Sequence, residues 1–133
     1  MEPALTPKLA PYLVSRDASS LAHFIEAGIG GTVGYKITDE RGKIAHLEMR
    51  IEDSVVMLSD APDGRGSFPG MLHLYVPDSD AAYKRALNAG ATSIREPTDA
   101  EDGRRGGVRD PWGNEWWFTR ASAPSGIRTH GPS

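Results

Sequence analysis

The stretch VRDPWGNEWWF, residues 108–118, determines how the end of this chain must fold. Pro111 presets its own φ and Gly113 tolerates a positive φ, so the turn DPWGN predicts a tight reversal directly before a strand. On that strand Trp116 and Trp117 must point to opposite faces of the sheet. We therefore expect Trp117 to line a ligand site and Trp116 to pack in the interior, although aromatic pairs on strands often both fill core.

Working outward, the second half of the chain repeats the order of the first half. LAPYLVSRD (9–17) predicts a strand and DASSLAHFIEAG (17–28) a helix that ends at a glycine, and three β-rich runs follow up to residue 60. MLHLYVPD (71–78) again predicts a strand and SDAAYKRALNAGA (79–91) a helix, before three short extended runs. Self-similarity over such a long period indicates a duplicated module.

These elements predict an α+β fold of two tandem βαβββ modules, residues 8–60 and 71–120, in a single domain covering 1–133. Residues 61–70 concentrate Gly, Pro, Asp and Ser, which predicts a linker. Residues 121–133 are small, polar and rich in Pro and Gly, so we expect a disordered tail.

The composition argues against several classes of protein. The 133 residues include 15 basic and 18 acidic side chains with a net charge of -3, which disfavours nucleic acid as a partner. Without cysteine there are no disulfides or thiolate metal sites, and a reducing compartment fits. No secretory signal or membrane span is visible, so we expect a soluble, cytoplasmic protein.

The duplicated order, the strand-to-helix turns VSRDASS and VPDSDAA, the helix end NAGA and above all VRDPWGNEWWF resemble the vicinal oxygen chelate superfamily. This group comprises glyoxalases, extradiol dioxygenases and bleomycin-resistance proteins, and the resemblance covers roughly residues 8–120. It implies a curled eight-stranded mixed sheet that forms a cup, with helices on its outer face. It also implies a homodimer.

The resemblance implies that enzymes of this group bind a divalent metal through the first and last strands of each module. Met57 and Trp117 stand at the last-strand positions, and the first-strand positions fall near 9–11 and 71–73, where only His73 is a donor. A divalent site needs several converging donors. We therefore expect no metal or other cofactor, and a protein that binds a small organic ligand, as in drug or metabolite sequestration and antibiotic resistance, rather than an enzyme.

Side-chain alternation along the predicted strands selects the residues of the cup. The Gly-rich segment 96–111 is expected to be a loop that carries Arg104, Arg105 and Arg109. We include Arg105 among the ligand-binding residues because a guanidinium can pair with an acidic group of a ligand. No catalytic residue is predicted. The predicted ligand-binding residues are Tyr12, Val14, Met57, His73, Tyr75, Arg105, Trp112 and Trp117.

An enzyme is the alternative. His46 and Glu48 lie two apart on a predicted strand and share a face, as a metal pair or as a base with its orienting partner would. A solvated surface pair explains the same spacing. With His73 and Glu115 they would form the site of a metal-dependent lyase, isomerase or dioxygenase.

Overall fold

The computed structural model describes residues 7–121, and the chain divides into two compact units after Gly70. The first unit contains β1 (Tyr12–Ser15), α1 (Ala18–Phe24), β2 (Thr32–Thr38), β3 (Ile44–Ile51) and β4 (Ser54–Asp60). Its sheet has the order β1-β4-β3-β2, in which β1 and β4 are parallel and the other pairs antiparallel.

The second unit repeats this topology. Its elements are β5 (Met71–Tyr75), α2 (Ser79–Asn88), β6 (Thr92–Ala100), β7 (Gly103–Arg109) and β8 (Glu115–Ala121), with the order β5-β8-β7-β6. The predicted α+β fold of two tandem βαβββ modules is confirmed, with eight strands in two four-stranded mixed sheets. That the two sheets enclose one cup stays a prediction.

Both helices begin at an aspartate that caps the first turn. The side chain of Asp17 accepts from the backbone N of Ser20, and that of Asp78 accepts from the backbone N of Ala81, at 3.1 Å in each case. The first helix does not end at Gly28 as expected. It continues as a π-helical turn, Ile25–Ile29, and ends at Gly30, whose φ is 93°.

The segment 96–111 is not the predicted loop. It forms most of the hairpin of β6 and β7, so Arg104, Arg105 and Arg109 lie on a strand. The glycines and charged residues of this segment suggested a loop, but two adjacent glycines of β7 are covered by neighbouring side chains. Pro97 lies against Gly106, and the indole of Trp117 lies against Gly107.

The core of the second unit lies between its sheet and α2. Trp116 is 0% exposed, and Val108 and Phe118 are buried on the same face of the sheet. Ala86 and Tyr83 of α2 are buried as well, and the hydroxyl of Tyr83 lies 2.6 Å from Oγ of Ser93 on β6. Burying this apolar face is what holds the helix on the sheet.

The DPWGN turn is organised by the carboxylate of Asp110, which is 3% exposed. Its Oδ1 accepts from the backbone N of Trp112 and of Asn114, and its Oδ2 accepts from Nδ2 of Asn114 and Nε1 of Trp116, all at 2.9 Å. Gly113 has a φ of 93°, as the turn requires. One carboxylate thus ties the turn to the buried tryptophan.

The segment predicted as a linker runs mostly exposed over residues 62–69. Its Phe68 exchanges two backbone hydrogen bonds with Val14 of β1, of 3.2 and 2.7 Å. Ala121 still belongs to β8, and the rest of the predicted tail, 122–133, lies outside the described residues. Within residues 7–121 neither helix is long and apolar enough to cross a membrane.

We predict that Asp110→Ala lowers the free energy of unfolding by about 2–4 kcal/mol, because four hydrogen-bond donors lose their acceptor inside the fold. Urea unfolding followed by tryptophan fluorescence measures this loss. Asp63→Ala is the matched control, because Asp63 pairs with Arg41 on the surface and its removal should barely move the midpoint. Equal midpoints for the two variants would contradict the role given to Asp110.

Candidate functional site

In each unit the helix covers one face of the sheet, and the opposite face is called here the helix-free face. On the helix-free face of the second unit, strand pairing places four residues in one row across the sheet. Paired residues on adjacent strands point to the same side. This row, the central row of the second unit, consists of His73, Trp117, Gly107 and Arg95.

The indole of Trp117 lies over Gly107. A Cβ added at position 107 would stand 2.6 Å from Cδ2 and Cε3 of the indole, closer than any real contact. Only glycine leaves room for the ring to lie on the neighbouring strand in this way. Trp117 is half-buried while Trp116 is fully buried on the opposite face, as strand alternation requires.

The carboxylate of Glu115 fixes the edge of the same indole. Nε1 of Trp117 donates to Oε1 of Glu115 at 3.0 Å, and Arg109 donates to Oε2 at 3.0 Å. Both bonds lower the pKa of Glu115, and the bond from the indole has the larger effect. Glu115 therefore acts as an anionic acceptor for the ring and pairs with Arg109. We call Trp117, Gly107 and Glu115 together the indole platform.

His73 stands beside the indole platform. Its Nε2 lies 2.6 Å from Oγ1 of Thr119, and its ring stacks on that of Tyr75, with centroids 5.3 Å apart and an interplanar angle of 24°. Burial is the main cause that lowers the pKa of His73, followed by the positive charge of Arg105, while Asp102 acts in the opposite direction. This shift favours the neutral form of the imidazole.

Arg105 is held in place by its own unit. Its Nε donates to Oγ1 of Thr119 at 3.2 Å, and NH2 donates to both carboxylate oxygens of Asp102, at 3.2 and 3.0 Å. A contact between Arg105 and a ligand stays a prediction. In the structure Arg105 and His73 are both hydrogen-bonded to Oγ1 of Thr119.

The remaining predicted residues of the second unit lie at its margins. Tyr75 is 65% exposed, next to His73. Trp112 is half-buried on the DPWGN turn, where its backbone N is bound to Asp110, and it does not belong to the central row.

The first unit has an equivalent central row on its helix-free face, formed by Tyr12, Met57, Glu48 and Tyr35. His46 links two of them, because its Nδ1 lies 3.2 Å from the hydroxyl of Tyr12 and its Nε2 lies 3.1 Å from Oε2 of Glu48. The rings of Tyr12 and Tyr35 flank the imidazole at centroid distances of 5.7 and 6.3 Å. The predicted pair of His46 and Glu48 is thus in contact.

Val14 lies half-buried two residues along β1 from Tyr12, on the same face. Tyr12 itself is 41% exposed. Tyr12, Val14 and Met57 therefore share the helix-free face of the first unit, and a contact of any of them with a ligand stays a prediction.

The metal implied by the resemblance does not fit the residues present. In the first unit strand pairing places Tyr12, one residue past the expected range 9–11, beside Met57, which supplies one phenol and one thioether. In the second unit it places His73 beside Trp117, which supplies one imidazole and one indole. The imidazole Nε2 is already engaged by Thr119, and an indole has no donor pair for a metal. Among residues 7–121, no three His, Asp or Glu side chains converge on a point where an ion could bind.

Sequence reasoning missed the residues that position the predicted ones. Gly107, Thr119, Asp102 and Tyr35 had no individual signal, because each acts through a cross-strand neighbour. The adjacent glycines Gly106 and Gly107 were the available sign, since glycine inside a strand often marks a close approach.

Comparison with known proteins agrees with this architecture. Residues 9–118 match the sequence profile of the Glyoxalase/Bleomycin resistance protein/Dioxygenase superfamily. An uncharacterised protein of Mycobacterium tuberculosis (strain ATCC 25618 / H37Rv) is 36% identical over 122 residues, which cover 83% of this chain and 72% of that protein.

Solved structures show the same fold at lower identity. TioX from Micromonospora sp. ML1 superposes with a TM-score of 0.73 at 21% identity, covering 87% of this chain and 99% of that one. TnmS3, an antibiotic binding protein from Streptomyces sp. CB03234, gives 0.70 at 20% identity, covering 91% and 100%. A glyoxalase-related enzyme from Fulvimarina pelagi gives 0.68 at 18% identity, covering 87% and 88%. By its profile match and its mycobacterial relative, this chain belongs to the Glyoxalase/Bleomycin resistance protein/Dioxygenase superfamily.

Proposed function

We propose that this protein binds a small, planar organic molecule on the indole platform without a metal. The observation that carries the proposal is the fixed position of the Trp117 ring, which rests on Gly107 and is bonded at its edge by Glu115. Its outer side belongs to the helix-free face, next to the stacked pair of His73 and Tyr75.

A ring held in this way favours binding for two reasons. Aromatic surfaces supply large contact areas, and stacking adds about 0.5–1.5 kcal/mol for each pair of rings beyond the buried area. A side chain that is already immobilised loses little entropy when the ligand arrives. The neutral imidazole of His73 adds a polar contact without a charge that would have to be desolvated.

The relatives support sequestration as the biological role. One structure with the same fold is described as an antibiotic binding protein, and the proposal extends that kind of activity to a drug or metabolite here. Arg105 and Trp112 of the second unit are proposed as further ligand contacts. Tyr12, Val14 and Met57 are proposed as ligand contacts on the helix-free face of their own, first unit. The homodimer and the cytoplasmic location stay predictions.

A second candidate function rests on the hydrogen-bonded chain Tyr12–His46–Glu48. Glu48 orients the imidazole, and Nδ1 of His46 faces the phenol, which is the arrangement of a general base with its orienting partner. A lyase, isomerase or dioxygenase would use this chain, either in proton transfer or with His46 and Glu48 as metal ligands. The other two residues of that alternative, His73 and Glu115, belong to the second unit, where they are bonded to Thr119, Trp117 and Arg109.

We predict that Trp117→Ala weakens binding of a planar aromatic ligand by about 1–3 kcal/mol while the fold persists, because stacking and apolar burial are lost. Trp116→Ala should instead destabilise the fold by about 3–5 kcal/mol, since it removes a fully buried side chain. A thermal-shift screen supplies the ligand, because a compound at 100 times its Kd adds about 2.7 kcal/mol.

Fluorescence titrations and thermal melts of both variants then give the comparison. If folded Trp116→Ala loses binding and Trp117→Ala binds normally, the assignment of the two faces is wrong.

We predict that protein purified without chelators retains far less than one zinc, nickel, iron or manganese ion per chain, because the family positions lack converging donors. Elemental analysis measures this directly. A stoichiometric metal that is lost in His46→Ala would overturn the prediction and favour the second candidate. His23→Ala, on α1, is the matched control for loss of a histidine.

We predict that the pKa of His73 lies below its ordinary value of 6.5. The folded state favours the neutral ring, so this residue contributes its full stabilisation above pH 6.5. This stabilisation is lost as the pH falls from 6.5 through the lower pKa of the folded state. Arg105→Gln should raise the midpoint and Asp102→Asn should lower it further, because the two charges act in opposite directions. Histidine NMR titrations test this, and a wild-type midpoint above 6.5 would contradict it.

A further inference from the structure

The arginines on the helix-free face of the second unit differ in how their charge is balanced. Arg105 is paired with Asp102 at 3.0 Å, and Arg109 with Glu115 at 3.0 Å. Arg95 is exposed and has no carboxylate partner among the described residues. Of these three arginines, only Arg95 therefore has no carboxylate partner among the described residues.

Arg95 belongs to the same row as the indole platform. It pairs with Gly107 on the next strand, at a point where β6 has a register shift on either side of Arg95. Gly107 in turn pairs with Trp117 on the strand beyond. Strands lie about 4.8 Å apart, so the α-carbons of Arg95 and Trp117 are about 10 Å apart. Position 107 has no side chain and is covered by the indole itself, so Arg95 is the next side chain across the sheet from the ring.

This arrangement selects a class of ligand. A ring stacked on the indole lies within reach of a flexible arginine, whose guanidinium pairs with carboxylate or sulfonate in a fork-like geometry. The same charge repels cationic rings and gives no advantage to neutral ones. His73, the titratable group nearest in the row, has a lowered pKa, which favours its neutral form.

We propose that Arg95 and the indole platform form one binding surface for planar aromatic anions, the aromatic part stacking on Trp117 and the acidic group pairing with Arg95. The proposal rests on the proposed ligand-binding function of Trp117 and names the chemical class of its ligand. The acidic group lies toward β6, and the ring lies over β7 and β8.

A matched pair of fluorescent probes tests the class. 8-Anilinonaphthalene-1-sulfonate and N-phenyl-1-naphthylamine share their aromatic rings and differ in the sulfonate. Arg95→Gln should weaken binding of the sulfonate probe about tenfold and leave the neutral probe within about twofold, because only the first loses a charge-assisted contact. Arg120→Gln is the matched control, because Arg120 is an exposed arginine of the same unit. It stands opposite Arg104 in the register of β7 and β8, so its side chain points to the face that carries the helix. This substitution should change neither affinity.

The outcomes separate this proposal from the one on which it rests. If Arg95→Gln leaves the sulfonate probe unchanged while Trp117→Ala weakens both probes, the anionic class is wrong and the indole platform stands. If Trp117→Ala affects neither probe, or the wild type binds neither, both proposals fail. An equal loss of the sulfonate probe in Arg95→Gln and Arg120→Gln would show a general charge effect and also overturn the assignment to Arg95.

Discussion

The buried carboxylate of Asp110 is the constraint on which the rest of the candidate site depends. It closes the DPWGN turn and, through the same oxygen that binds the Asn114 amide, holds Nε1 of Trp116 inside the unit. Because neighbouring strand residues face opposite sides, fixing Trp116 inward also fixes Trp117 outward. If the register of β8 shifted by one residue, Asp110 would lose the hydrogen bond from Trp116, and Glu115 would be turned toward the buried face. The position of the ligand-facing ring is therefore set by an interaction on the other side of the sheet.

Once Trp117 is on the helix-free face, two neighbours decide its orientation. Glycine at 107 lets the ring lie on the adjacent strand, and Glu115 receives the indole N–H that would otherwise need a solvent partner. Arg109 balances the carboxylate charge, so the anion that fixes the ring does not repel an acidic ligand as strongly as a free one would. A large apolar side chain is thus kept at the surface without collapsing onto the core.

Local signals in the sequence were enough for the fold. The capping aspartates Asp17 and Asp78, the alternation along β8 and the turn at Gly113 each act within a few residues, so the element order could be predicted. Three extended runs after α2 were predicted correctly, but Arg105 was expected in a loop because the residue that covers Gly107, Trp117, lies on another strand. The partners of His73 and Trp117 were missed for the same reason, because the local sequence does not predict which residues of neighbouring strands stand opposite each other.

The two central rows show how one topology gives two different surfaces. Where the second unit has Gly107 beside Trp117, the first has Glu48 beside Met57, at the same place in the strand order. The side chain of Glu48 stands where the second unit has none, so a large ring at position 57 could not lie flat on the neighbouring strand as Trp117 does. Its carboxylate instead orients His46 toward Tyr12. Two differences at equivalent positions, glycine against glutamate on the third strand and tryptophan against methionine on the fourth, thus separate a stacking surface from a polar, hydrogen-bonded one. Aromatic-ligand binding is assigned to the second unit for this reason.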